Sequence, residues 1–260
     1  MKTIKQGKKK MADFILKRPD KWDLAYTFDK GNKDLCVLYL HGWLANRHRK
    51  KGLTARDVAL DEGCSYLSLD YTAHGESGGD PTDFTIGQTI KDTLDVIKET
   101  IPNIPLIIIG NSVGGWIGLW LAEHLKQTAG FIGLAPAPDI TEWVWNKMLP
   151  PYARAALDAG NIIGPSEATY GFCFTKELFK DGERHFMLNR PIEFKGPVRI
   201  IWGDSDDRVE KSRIDAIKDR LTSPDVKITV IKGADHHLSQ ERDLSILADT
   251  LKRMIKDIKK

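Results

Sequence analysis

Cysteine is scarce in this chain. The three residues Cys36, Cys64 and Cys173, among 260, are an odd number with neither C-x-x-C nor metal-ligand spacing, which excludes a disulfide-stapled scaffold. Cys36 and Cys64 lie in or beside apolar runs and read as small buried hydrophobes in a reducing compartment. Charge of a single sign is also lacking: 39 Lys and Arg stand against 36 Asp and Glu, a net charge of +3. Apart from Lys8-Lys9-Lys10, Arg47 to Lys51 and Lys259-Lys260 the positive residues are spread, so no nucleic-acid partner is expected. The basic first ten residues are not followed by the apolar core of a signal peptide, and no later stretch is long and uncharged enough to span a bilayer. These absences predict a cytoplasmic protein without a membrane span. His48, His124 and His185 carry no spacing for a metal site, and neither metal nor cofactor is expected. With no internal repeat or low-complexity linker, residues 1–260 read as one domain.

What the chain does have is concentrated in Leu106 to Leu119, L-I-I-I-G-N-S-V-G-G-W-I-G-L. Four apolar residues read as a strand buried on both faces, running into a sharp Gly-x-Ser-x-Gly turn and a helix. In such a turn the central Ser112 is pushed out of the sheet end in a strained conformation. The free N–H groups of the helix start favour negative charge developing beside it. The bland reading is a glycine-rich turn with a surface serine, so the rest of the chain has to decide.

Leu24 to Phe28 reads as an edge strand and Asp29 to Lys33 as a turn, so that a hairpin opens the fold. Leu35 to Leu40 is a fully apolar central strand ending in His41-Gly42-Trp43. A short helix over Leu53 to Asp61, a strand over Tyr66 to Asp70 and a turn-rich loop over Tyr71 to Gly79 follow. Ile86, Ile90, Leu94, Ile97 and Ile101 recur at helical spacing, and Phe131 to Ala135 is the strand after the Ser112 helix. Strands alternating with helices predict a mostly parallel sheet covered on both faces. The alternation breaks between Asp139 and Pro197, where Trp143, Trp145, Tyr152, Phe172 and Phe174 are scattered in a small, mainly helical insertion. It resumes with strands over Val198 to Trp202 and Val226 to Ile231 and a final amphipathic helix.

A serine hydroxyl needs a histidine to take its proton and a carboxylate to hold that histidine. The loops after the last two predicted strands supply G-D-S-D-D-R-V, residues 203–209, and G-A-D-H-H-L, residues 233–238. Asp204 reads as a turn residue. Adjacent side chains point apart, so only one of Asp206 and Asp207, and only one of His236 and His237, can face Ser112.

With H-G-W, D-Y-T-A-H-G-E-S-G, G-N-S-V-G-G, G-x-x-D-x-x-V and G-x-D-H in this order, the chain resembles the α/β-hydrolases over nearly its whole length. Its insertion, with P-P-Y-A-R-A-A-L and E-L-F-K-D-G-E-R-H-F-M-L, is similar to the family that includes mitochondrial palmitoyl-protein thioesterase and its bacterial relatives. The resemblance implies an α/β-hydrolase fold with a helical lid over about 139–197. It also implies a triad of Ser112, Asp206 and His236, and an oxyanion hole of the Trp43 and Val113 backbone N–H groups. His41 then belongs to the oxyanion loop, and His41 and His74 are read as structural hydrogen-bonding residues. The expected activity is hydrolysis of a small-molecule carboxylic ester or acyl thioester through an acyl-enzyme. Trp143 and Trp145 are candidates to contact the acyl group, each with the plainer alternative of packing the insertion onto the body. The competing reading is a non-catalytic binding protein on a hydrolase scaffold.

Overall fold

A computed structural model describes residues 11–258; the basic runs at Lys8-Lys9-Lys10 and Lys259-Lys260 lie outside the described residues. The strands are β1 (Asp13–Leu16), β2 (Leu24–Asp29), β3 (Cys36–Leu40), β4 (Ser65–Leu69), β5 (Leu106–Asn111), β6 (Thr128–Leu134), β7 (Val198–Gly203) and β8 (Val226–Ile231). The helices are α1 (Lys50–Asp61), α2 (Ile86–Thr100), α3 (Val113–His124), α4 (Ile140–Trp143), α5 (Pro151–Asp158), α6 (Lys176–Arg184), α7 (Lys211–Arg220) and α8 (Glu241–Ile258). The sheet runs β1-β2-β4-β3-β5-β6-β7-β8. Strands β3 to β8 are mutually parallel, and β2 is antiparallel to both its neighbours. No helix among the described residues is long and apolar enough to cross a membrane.

Strand β5 is central because every one of its residues is buried, with Leu106 to Ile109 at 0% exposure. It is bonded to β3 on one side and β6 on the other, and its run of β-branched residues suits that two-sided burial. Helix α2 starts where the Thr85 hydroxyl accepts from Gln88 N–H at 3.1 Å, and it lays Ile86, Ile90 and Ile97 onto the core. Helix α3 is apolar on all sides and correspondingly buried.

The opening hairpin differs from the sequence reading. Strand β2 pairs with β1 and β4 and not with β3, so it is the second strand of the sheet rather than its edge. The turn after β2 passes across the start of β4: Asn32 and Lys33 N–H both donate to the Gly63 carbonyl, at 3.0 and 2.9 Å, and Gly31 N–H donates to Ser65 Oγ at 3.0 Å. The true edge, β1, leaves Asp13, Phe14 and Ile15 exposed. It therefore lacks the alternation by which a half-buried strand is recognised.

Strand order reverses between β3 and β5, since the chain goes from β3 outward to β4 and then returns past β3 to β5. The carboxyl ends of β3 and β5 are therefore the point where strand order switches, the usual place for a ligand in an open parallel sheet. Residues 139–197 leave after β6 at this same edge, contain α4, α5, α6 and the bridge Ile163–Phe174, and return to the opposite edge before β7, where Phe131 N–H donates to the Pro197 carbonyl at 3.0 Å.

Candidate active site

Ser112 stands between β5 and α3 with φ 54° and ψ −119°, outside the regions that residues with a Cβ normally occupy. Its backbone is tied on both sides. The N–H donates to the Leu134 carbonyl at 3.0 Å, and the carbonyl accepts from Gly115 and Ala137 N–H at 2.8 and 3.0 Å. The flanking glycines are required by close approach: a Cβ on Gly110 would lie 2.3 Å from the Gly114 carbonyl oxygen, and one on Gly114 2.4 Å from those of Leu40 and His41. Strand and helix can thus meet at an angle that turns the Ser112 hydroxyl outward.

The loops after β7 and β8 bring the acid and the base to this hydroxyl. His236 Nε2 is 3.1 Å from Ser112 Oγ, and its Nδ1 is 3.0 and 2.9 Å from the two carboxylate oxygens of Asp206. A carboxylate only accepts, so Nδ1 carries the proton and Nε2 presents its lone pair to the serine. The Asp206 side chain is fully buried. It also accepts Arg208 and Val209 N–H, each at 2.9 Å, which fixes the carboxylate. The competing residues point elsewhere. Asp207 and His237 are exposed, and Asp204 ties the two loops together by accepting Gly233 N–H at 2.5 Å.

Gly42 faces the elbow, since a Cβ placed on it would lie 3.3 Å from the Ser112 Cβ. The backbone N–H groups of Trp43 and Val113 have no hydrogen-bond partner among the described residues. The Trp43 indole is occupied otherwise. It lies 4.9 Å from the Phe84 ring and 4.5 and 5.9 Å from those of Phe172 and Phe174, so it joins the body to the insertion. Trp145 packs edge-on against Phe179 at 4.9 Å. With Thr141, Glu142 and Phe186 it lines a cleft of about 440 Å³ that Ser112, Asp206 and His236 do not line. Trp143 is partly buried against the core.

Residues that sequence reasoning passed over hold these loops in place. The Asp70 carboxylate accepts Arg47 N–H at 2.7 Å and Glu76 N–H at 3.0 Å and pairs with the Arg47 guanidinium, locking the loop after β3 to the loop after β4. Lys51, on α1, donates to the His237 carbonyl. Burial pushes its pKa down to about 8, with Asp235 and Asp243 pulling the other way and Arg49 adding to the fall. Burial also holds His41 well below the ordinary histidine range, with His74 a smaller contributor, and it lowers His74 as well. Asp70 ends the run read as a strand and Lys51 stands in a run noted for surface charge, and neither run gave a signal for these contacts.

This geometry is a strained strand-turn-helix elbow at the carboxyl edge of a parallel sheet, and the chain belongs to the alpha/beta hydrolase family, whose sequence model matches residues 37–250. Within that family it stands close to thioesterases and esterases. It is 28% identical over 246 residues to the mitochondrial palmitoyl-protein thioesterase ABHD10 of Bos taurus, covering 93% of this chain and 79% of the relative. The mouse alpha/beta hydrolase domain-containing protein 10 superposes with a TM-score of 0.83 at 26% identity, covering 95% of this chain and 99% of the other. A protein from Agrobacterium vitis S4 superposes with a TM-score of 0.86 at 26% identity, over 95% and 98% of the two chains. The expectation of a cytoplasmic protein is corrected by the palmitoyl-protein thioesterase relatives, which are mitochondrial. Few cysteines without disulfide spacing argue for a reducing environment and have no power to separate one such compartment from another.

Proposed function

We propose that this protein hydrolyses carboxylic esters and thioesters through an acyl-enzyme. The observation that carries the reading is the His236 imidazole, which spans from the Asp206 carboxylate at 2.9 Å to Ser112 Oγ at 3.1 Å. In the first half-reaction Ser112 Oγ attacks the acyl carbon while Nε2 takes its proton. The oxygen of the tetrahedral intermediate is met by the Trp43 and Val113 N–H groups. Collapse expels the alcohol or thiol, which receives the proton from His236 and leaves the acyl group on Ser112. Water then attacks the acyl-enzyme with His236 again as base, giving the acid and free serine. Names of the relatives favour a thioester of a long-chain acyl group as one substrate class. Residues 1–260 act as one domain in this reading, with the 139–197 insertion as a lid and Trp143 and Trp145 as its contacts to the acyl chain.

The test is labelling of the full-length protein by a fluorophosphonate, followed by assays on p-nitrophenyl esters and acyl-CoA thioesters of increasing chain length. Native protein is expected to be labelled and to turn over. Ser112→Ala should lose labelling and about 10⁴-fold or more in kcat while keeping its fold. Near-normal turnover by that variant would refute the assignment. Truncating Trp143 or Trp145 to Ala should change the chain-length profile by about one order of magnitude if they read the acyl group; a uniform drop would make them packing residues.

A further inference from the structure

An amide serves an oxyanion only if its peptide plane is already aimed when the charge develops. The peptide plane is rigid, and in its trans form the Trp43 N–H points opposite to the Gly42 carbonyl. Whatever holds that carbonyl therefore aims the N–H. Two groups do so, the His41 Nδ1–H at 2.8 Å and the Ala45 N–H at 3.2 Å. Leu44, the residue between, is the weak point. It has φ 56°, a backbone that a leucine rarely adopts, and the residue is 48% exposed, so little burial fastens it there.

What fastens it is His74. The Leu44 N–H donates to His74 Nε2 at 3.2 Å. The other ring nitrogen lies 3.2 Å from the Thr72 carbonyl, which only accepts, so the proton is on Nδ1 and Nε2 offers a lone pair. His74 is 6% exposed. Its ring lies 4.9 Å from Phe84, and Phe84 lies 4.9 Å from the Trp43 indole, so His74 also reaches the oxyanion loop by a second route, through rings.

We propose that His74 is a positioning residue, which holds the Leu44 amide and through it the Trp43 N–H in the orientation that receives the oxyanion. The proposal rests on the oxyanion reading given above. Only the neutral imidazole can do this. A proton on Nε2 would face the Leu44 N–H donor to donor, and the loop would be released. Burial keeps His74 neutral, while the Thr72 carbonyl and the Asp70 and Asp92 carboxylates favour its charged form. The rings against it are His41, Tyr71 and Phe84, and of these His41 is itself held neutral by burial.

The experiment compares His74→Leu, which keeps apolar bulk without an acceptor, with His74→Gln, whose side-chain carbonyl can accept from Leu44. Fluorophosphonate labelling rate, kcat and KM on a p-nitrophenyl ester are measured from pH 5 to 9, alongside Tm. Displacing one oxyanion donor should lower kcat and labelling rate by about ten- to a hundredfold in His74→Leu, with little change in KM. His74→Gln should recover most of that loss. Its kcat/KM should also lack one of the protonations that shape the acid limb of the native profile. Native rates in His74→Leu, or equal losses in the Leu and Gln variants in step with Tm, would reduce His74 to packing and overturn the proposal while the triad stands. A native protein that is neither labelled nor active would refute the proposed function itself.

Discussion

The two edges of the parallel sheet solve the same problem differently. At the amino edge, where the chain turns from α1 into β4, the left-handed position is filled by Gly63 with φ 76°, which costs a glycine little. At the carboxyl edge Gly75, Gly79 and Gly233 do the same, but non-glycine residues take such positions as well: Leu44 after β3, Ala73 after β4, Ser112 after β5, Ala135 and Asp139 after β6 and Leu238 after β8. Each stores about 1–3 kcal/mol. Buried neutral imidazoles and a buried ammonium, His41, His74 and Lys51, stand at the same edge. Destabilising features collect where the proposed chemistry is, and the opposite edge is left relaxed.

The largest test of this contrast is Ser112→Gly. It removes the proposed nucleophile and the strained Cβ together, so kcat should fall by about 10⁴ or more. Stability should nevertheless rise by about 1 kcal/mol, the relief of strain less the extra unfolded-state entropy of glycine. Assay and denaturant unfolding of the same preparation decide it. A Ser112→Gly protein less stable than the native one would show that the elbow is not strained.

How much of this could be read beforehand follows from what kind of contact each feature uses. The elbow and the two loops that carry the acid and base candidates were legible because each follows a strand end directly, so chain order alone puts them at one edge; the choice of Asp206 over Asp207 and of His236 over His237 came from the family resemblance. The opening hairpin was misread because strand adjacency is set by the crossing of residues 29–33 over the start of β4, a contact with Gly63 that residue types do not announce. Strand β1 left no pattern because both of its faces meet solvent. The Trp43 ring was not legible as an aromatic anchor, since its partners Phe84, Phe172 and Phe174 lie far along the chain. The Lys51 tether spans 186 positions, and no local pattern could reveal it.

A second test uses acid. Below about pH 6.5 the unfolded chain binds a proton at each of His41 and His74, whereas burial keeps both folded imidazoles neutral. The unfolded state then holds more protons, so stability falls as pH falls below that value. The loss is at most about 2 kcal/mol per histidine at pH 5. Urea unfolding at pH 7 and pH 5 should show it for the native protein, and a His41→Gln, His74→Gln double variant should lose that part of the slope. An unchanged slope in the double variant would place the acid sensitivity elsewhere.

Lys51 supplies a third. Its pKa, lowered by burial to about 8, means that the folded state binds fewer protons than the unfolded one between there and about 10.5. Stability should therefore rise with pH across that window, the opposite of ordinary alkaline unfolding. Lys51→Met removes the buried charge at the expense of the hydrogen bond to the His237 carbonyl. A net gain of about 1 kcal/mol at pH 7 is expected, with kcat/KM reduced severalfold as the His236 loop loosens. Loss of stability in Lys51→Met would mean that the tether outweighs the desolvation.

The smallest effect on activity is expected at the other edge, from Gly63→Ala. With φ 76°, alanine there costs about 1–2 kcal/mol in backbone energy. Its Cβ would lie 2.4 Å from Asn32 Oδ1, the end of a side chain that can swing aside, so little is added to that cost. Tm should fall by about 2–8 °C for a chain of this size. The Asn32 and Lys33 N–H bonds to the Gly63 carbonyl are confined to the amino edge, and every group proposed to touch the substrate lies at the far end of the strands. Activity measured well below Tm should therefore stay within about twofold of native. A larger fall in kcat, with the fold intact, would show that the β4 turn and the loop after β4 are coupled through the strand, and that the two edges are not independent.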